Sequence, residues 1–98
     1  MVHVLVRHKV ADYPKWKQAF DAHLNRRMSG GETGFRVFQS IDDPRDVTVL
    51  TDWENLESAR RFMTSSDLRT AMQNAGVEGA PDISYVVDAL SVRRTSAD

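Results

Sequence analysis

Apolar and polar residues alternate from Val2 to Lys9, with Val2, Val4 and Val6 on one parity, and this period of two predicts a first strand. The period changes after Asp12. Tyr13, Trp16, Phe20, Leu24 and Arg27 recur at helical spacing, which predicts one helix with a single apolar stripe. Asp12 stands where an N-cap belongs, and Pro14 falls in the first turn, where its missing N–H costs nothing. Arg26 and Arg27 lie in the last turn, suited to the helix dipole, and Gly30-Gly31 ends the helix. Phe35–Ile41 and Val47–Trp53 predict two further strands, and the turn signal Asp42-Asp43-Pro44-Arg45 between them makes them antiparallel neighbours. Asn55 offers a second N-cap before the stripe Leu56, Ala59, Phe62 and Met63. Ser65-Ser66 then interrupts that helix and caps a third, carrying Leu68, Ala71, Met72 and Ala75. Gly76 supplies a left-handed C′ residue, with Val77 expected to fold back on Met72. Pro81 leads into a last strand, Ile83–Val92. The order β-α-β-β-α-β predicts an α+β, ferredoxin-like split arrangement with a four-stranded antiparallel sheet. One domain over residues 1–92 is expected, and residues 93–98 lose the pattern and should fray.

Helices of such a fold gather on one face of the sheet. The richer parity is assigned beneath them: Val2, Val4, Val6, Phe35, Val37, Val47, Val49, Trp53, Ile83, Tyr85 and Val87. The opposite parity still carries Leu5, Phe38, Leu50, Val86, Leu90 and Val92. An apolar patch of that extent invites association, so a second copy packing sheet to sheet, a homodimer, is expected. Arg36 shares this face with Asp52 and Asp88 and is expected to pair with one of them.

Composition narrows the classes of function. The chain has 98 residues, 41% of them apolar and 28% charged, and its 13 basic and 14 acidic side chains leave a formal charge of -1. There is no basic surplus to offset phosphate, so nucleic acid is not an expected partner. The absence of cysteine excludes disulfides, thiolate metal sites and a thiolate nucleophile. No apolar run approaches the roughly 20 residues that cross a bilayer, and Val2–Val6 is too short for a signal-peptide core. A cytoplasmic protein without a membrane partner is expected.

Candidate chemistry is sparse. His3 and His8 differ in parity, point to opposite faces and cannot share a metal, so no metal site is expected. His8 shares the helix-facing parity with Val6, and His23 follows Phe20 by three and Trp16 by seven residues. Both could border a cavity between helices and sheet as a general acid or base; the plainer reading makes each a partly exposed histidine at an element's end. Trp53 and Tyr85 combine a flat apolar body with a polar tip, either as binding residues for an aromatic substrate or as core and rim. Neither a phosphate-cradling glycine loop nor a G-x-S-x-G elbow occurs.

The opening Val4-Leu5-Val6-Arg7-His8-Lys9-Val10-Ala11-Asp12-Tyr13-Pro14-Lys15-Trp16-Lys17 resembles the first strand and helix of the small dimeric α+β barrel proteins, among them the antibiotic biosynthesis monooxygenase-like and small cyclase-like groups. Asp42-Asp43-Pro44, Trp53 and the segment from Asp67 to Val77 are similar to the same group, so that the resemblance spans roughly residues 2 to 90. It implies a homodimer and several chemistries, from quinone-forming oxygenases to haem degraders and lactone isomerases. Haem breakdown is set aside, because strand one has no asparagine and residues 55–75 have no histidine. The resemblance then implies an enzyme without metal, flavin or other cofactor, acting on a small aromatic or polyketide-like substrate. A phenol or hydroquinone beside Trp53 would lose a proton to His8 or His23, after which the carbanion meets oxygen or the substrate isomerises or cyclises. The alternative is a non-catalytic, small-molecule-binding or accessory homodimer. An open cavity lined by His8, His23, Trp53 and Tyr85 would favour the enzyme, and a filled core the accessory protein.

Overall fold

A computed structural model describes residues 1–94. Four strands, β1 (Val2–Val10), β2 (Glu32–Gln39), β3 (Asp46–Trp53) and β4 (Val77–Val87), form one antiparallel sheet in the order β2-β3-β1-β4. Four helices, α1 (Tyr13–Ala22), α2 (Leu24–Ser29), α3 (Leu56–Met63) and α4 (Ser66–Asn74), fill the two connections that cross the sheet. The architecture is the expected ferredoxin-like α+β arrangement, with each crossover helix divided in two.

The register places side chains in rows across the sheet. Val37, Val49, Val6 and Ile83 form one row, and Phe35, Thr51, Val4 and Tyr85 the next. These are the rows under the helices, where Val4, Val6, Val49 and Thr51 are buried. Two apolar clusters result, one built on Val10, Trp16, Val47, Val49 and Ala75, the other on Val4, Val6, Trp53 and Ala59. Phe35, on the outer strand β2, stays partly exposed although Phe20 and Arg27 pack on its ring, and Val87, at the end of β4, is exposed despite its inward parity.

Several boundaries differ from those read in the sequence. The first helix is not continuous: His23 sits at φ -90 and ψ 4, between α1 and α2. In an unbroken helix the Phe20 carbonyl would accept from the N–H of residue 24. Here it accepts instead from the His23 N–H at 3.2 Å and from Arg27 Nη1 at 2.6 Å. Asp12 holds the N-cap position without a capping side-chain bond, whereas Asn55 accepts from the Ser58 N–H and Ser65 from the Leu68 N–H. β4 starts at Val77, paired with Val10, rather than at Ile83, because Gly79, Ala80 and Pro81 are accommodated as a bulge. Three residues of β4 there oppose His8 alone, since Glu78 pairs with Lys9 and Asp82 with Arg7. β4 is an edge strand, where a proline without an N–H is tolerated. Gly76 is left-handed as expected (φ 83).

The strand also ends early, at Val87, opposite the first residue of β1, so Leu90 and Val92 lie beyond the sheet and are exposed. The uncovered face therefore holds Leu5 paired with Leu50, together with Phe38 and Val86. Arg36 does not pair with Asp52 or Asp88; its guanidinium lies 4.9 Å from the Phe38 ring. Asp52 and Asp88 instead accept from the two ring nitrogens of His3, each at 2.5 Å. Arg93 and Arg94 belong to no helix or strand, and the expected fraying of residues 95–98 lies outside the described residues.

Candidate functional site

Between the helices and the sheet lies a cavity of about 70 Å³, partly open to solvent and bordered by residues of both clusters. β1 and β3 contribute Val6, His8, Val49 and Thr51 as its floor, α1 and α2 contribute Trp16, Phe20 and Arg27, and α3 and α4 contribute Phe62, Met63 and Met72. His23, at the break between α1 and α2, also borders it. The two candidate histidines, 15 positions apart in sequence, are thus brought to one cavity.

His8 is buried among apolar groups. Its ring meets Trp16 edge-on with centroids 5.7 Å apart, and neither Nδ1 nor Nε2 has a hydrogen-bond partner. Burial pushes its pKa below the ordinary value, and the carboxylate of Asp46 only partly opposes this. His23 is also lowered, first by burial and then by the neighbouring Arg27 and Arg26. Both imidazoles are accordingly neutral near pH 7, and a neutral imidazole is the form that accepts a proton.

Arg27, which its spacing places on the apolar stripe without giving it a chemical role, is the remaining feature of the site. Its Nε donates to both carboxylate oxygens of Glu32, at 3.1 and 2.9 Å, and Nη1 donates to the Phe20 carbonyl. The guanidinium lies over the Phe20 ring at 3.7 Å. Nη2 is buried without a partner. Both members of this ion pair are nearly inaccessible, with side-chain exposures of 5% for Arg27 and 1% for Glu32. Burial pushes Glu32 up and the Arg27 charge pulls it down, and burial prevails. The pair depends on the turn between α2 and β2: Gly31, at φ 112, adopts a backbone that other residues avoid, bringing Glu32 back towards Arg27. A Cβ on Gly30 would stand 2.9 Å from the Phe62 ring, so this glycine sets how closely α2 approaches α3. The signal for Arg27 was present in the sequence as a cation on the apolar stripe, seven residues after Phe20.

Trp53 and Tyr85 do not border the cavity. Trp53 is fully buried one row further along the sheet, and its Nε1 donates to Thr51 Oγ1 at 2.7 Å. Thr51 Oγ1 donates in turn to the Val4 carbonyl, and the Trp53 ring backs Phe62 at 5.2 Å. Tyr85 lies near the edge of the sheet, with Arg60 over its ring at 4.7 Å. Two larger hollows, of about 230 and 440 Å³, open on the surface beside β4 and beside the α2–β2 turn. Neither contains a buried polar atom lacking a partner. Among the described residues no group of three histidine, aspartate or glutamate side chains is placed to hold a metal ion, and no helix is long and apolar enough to cross a membrane.

Fold and cavity define a ferredoxin-like α+β protein that holds two neutral histidines and a buried arginine–glutamate pair between helices and sheet. Residues 1–74 match the family model of the antibiotic biosynthesis monooxygenases, and the chain belongs to that family. Among solved structures it is similar to a Bordetella bronchiseptica protein provisionally assigned to the same monooxygenases: TM-score 0.78, 17% identity, 91% of this chain and 97% of the other covered. SnoaB, a cofactor-independent oxygenase from Streptomyces nogalater, superposes with TM-score 0.77 at 10% identity, over 93% of this chain and 95% of its own. A provisionally assigned monooxygenase of Caulobacter crescentus gives TM-score 0.69 at 18% identity, over 92% and 90%. At these identities the likeness shows a shared fold. No curated protein matches the chain.

Proposed function

We propose that the protein is a monooxygenase-type enzyme that works without a cofactor on a small aromatic or polyketide-like substrate, with His8 as the catalytic base. The observation that carries this reading is a neutral, buried imidazole with two unpartnered nitrogens on the wall of an otherwise apolar cavity. Buried polar atoms are nearly always satisfied, and exceptions gather where a ligand completes them. Family membership and the fold shared with SnoaB support it. In this reading His8 takes a proton from an activated ring or methylene carbon of the substrate. The resulting carbanion reduces dioxygen, so that a CH2 group and O2 become a carbonyl and water. His23, on the same cavity, is the second acid–base candidate, and the Trp53 ring supports the site through Phe62 and Thr51. Tyr85 is outside this cavity, and a role in substrate binding would require substrate reaching the sheet edge.

Two copies are proposed to pack through the uncovered sheet face, where Leu5, Leu50, Phe38 and Val86 have no cover of their own. Dioxygen uptake with a panel of anthrones and hydroquinones tests the chemistry. Uptake by the unmodified protein that falls at least a hundredfold in His8→Gln is expected, on the order of the usual contribution of a general base. Turnover without oxygen consumption would replace the oxygenase by a proton-transfer isomerase or cyclase. Binding without turnover would leave the accessory homodimer.

A further inference from the structure

Arg27 presents a second requirement that the chemistry of His8 does not explain. Its guanidinium carries five N–H donors, of which Nε serves Glu32 and Nη1 serves the Phe20 carbonyl. Nη2 is buried with nothing to bond to, on a side chain that borders the same cavity as His8. An unmet cationic donor beside an apolar cavity is costly in isolation and is offset when a ligand supplies an oxygen. From this, and resting on the reading of the cavity as the substrate site, we infer that Arg27 is a specificity-determining residue, which selects ring compounds bearing a ketone or phenol oxygen placed to accept from Nη2.

Charge balance narrows the class further. Glu32 already neutralises Arg27, and His8 and His23 are uncharged, so the site holds no net charge to receive a permanent anion. A keto or phenolic oxygen fits, because its charge develops only as the reaction proceeds. When the C–H bond breaks and its proton moves to His8, the electron pair is delocalised onto that oxygen, where the Arg27 donor meets it. A carboxylate would bring a full charge from the start and face Glu32. Size is a second filter. The space of about 70 Å³, partly open to solvent, is roughly half the ~150 Å³ cavity that admits benzene. One ring of such a compound then enters with its oxygen leading and any second ring stays towards the open side, while Met63 and Met72, flexible thioethers on the wall, give way.

Three probes of equal ring size separate the contributions: 1-naphthol, naphthalene and 1-naphthoate, titrated by calorimetry and by quenching of Trp16 and Trp53 fluorescence. The unmodified protein should bind 1-naphthol at least about tenfold more tightly than naphthalene, as expected for one hydrogen bond to a charged donor. It should bind 1-naphthoate more weakly than 1-naphthol. Because Arg27→Met alone leaves Glu32 buried without its cation and threatens folding, the comparison uses Arg27→Met/Glu32→Leu, with naphthalene binding as the check that the cavity persists. In that double variant the preference for 1-naphthol should shrink to within twofold while naphthalene affinity is retained. Equal binding of 1-naphthol and naphthalene by the unmodified protein, a preference that survives the double substitution, or tighter binding of 1-naphthoate would each overturn the assignment of Arg27 while leaving the cavity as a ligand site. Binding of none of the three would overturn both.

Discussion

Replacing Glu32 by leucine removes the counterion of Arg27 without opening a large void, and its cost follows from how little of either group water reaches. The two side chains are 5% and 1% exposed, so the guanidinium stranded by Glu32→Leu has almost no solvent to turn to. Breaking a buried pair from one side costs about 3–5 kcal/mol. A chain of this length has about 5–15 kcal/mol in total to lose. At about 4–8 °C per kcal/mol, the melting temperature should fall by roughly 12–40 °C. The double variant Arg27→Met/Glu32→Leu removes both charges and keeps apolar volume. The Phe20 carbonyl it releases still accepts from the His23 N–H. It should therefore recover to within about 1 kcal/mol of the unmodified protein, since apolar replacements of buried pairs are often neutral. Urea unfolding followed by circular dichroism, with the slope checked for constancy, measures all four members of the cycle. A single variant costing less than about 1 kcal/mol, or a double variant no better than the single, would refute the account of this pair as a coupled buried unit.

The histidines give pH dependences of opposite sign. His8, lowered by burial, binds protons more readily unfolded than folded; its contribution is complete above about pH 6.5 and is lost as pH falls below it. His3 is pulled down by burial, but its bonds to Asp52 and Asp88 outweigh this and raise it, so its contribution is complete below about pH 6.5 and lost as pH rises through the folded value. Thermal melts from pH 5 to 9 should show His8→Gln flattening the acid limb and His3→Gln the alkaline limb; the reverse assignment would contradict both environments. Trp53→Phe, which deletes the Nε1 bond to Thr51 and leaves unfilled volume at a fully buried position, should cost about 2–3 kcal/mol in urea unfolding. Leu50→Asp places a carboxylate opposite Leu5 on the uncovered face and should yield a monomer or an insoluble chain in sedimentation, whereas a well-folded monomer of the unmodified protein at micromolar concentration would exclude the proposed homodimer.

The face of each strand was legible because a period of two fixes it, and the rows Val37–Val49–Val6–Ile83 and Phe35–Thr51–Val4–Tyr85 follow that parity. Parity also sends His3 to the uncovered face and His8 beneath the helices, and the seven-residue step from Trp16 brings His23 to the same cavity. Parity does not say which row a cavity will occupy. Trp53 points to the correct face yet lies one row too far along β3, and Tyr85 lies near the edge. Arg27 was visible as a cation on an apolar stripe, but a last-turn arginine that complements a helix dipole has the same spacing. What separates the two is Glu32, returned to it by the left-handed Gly31, a relation that helical periodicity does not encode. Pro81 misled in a similar way, since a strand boundary and an edge-strand bulge are written with the same residue.

The two edges of the sheet are not equally open to further strands. Along β4 the outer edge is broken by Gly79, Ala80 and Pro81, and a foreign segment that tried to extend the sheet there would meet a bulge and a missing donor. The β2 edge offers an uninterrupted ladder from Gly34 to Gln39, with Phe35 and Phe38 both exposed. Within that six-residue window Arg36 is the single charge. A charge in an otherwise neutral stretch of edge strand is the usual guard against further strand pairing, so Arg36→Ala should raise light scattering at high protein concentration.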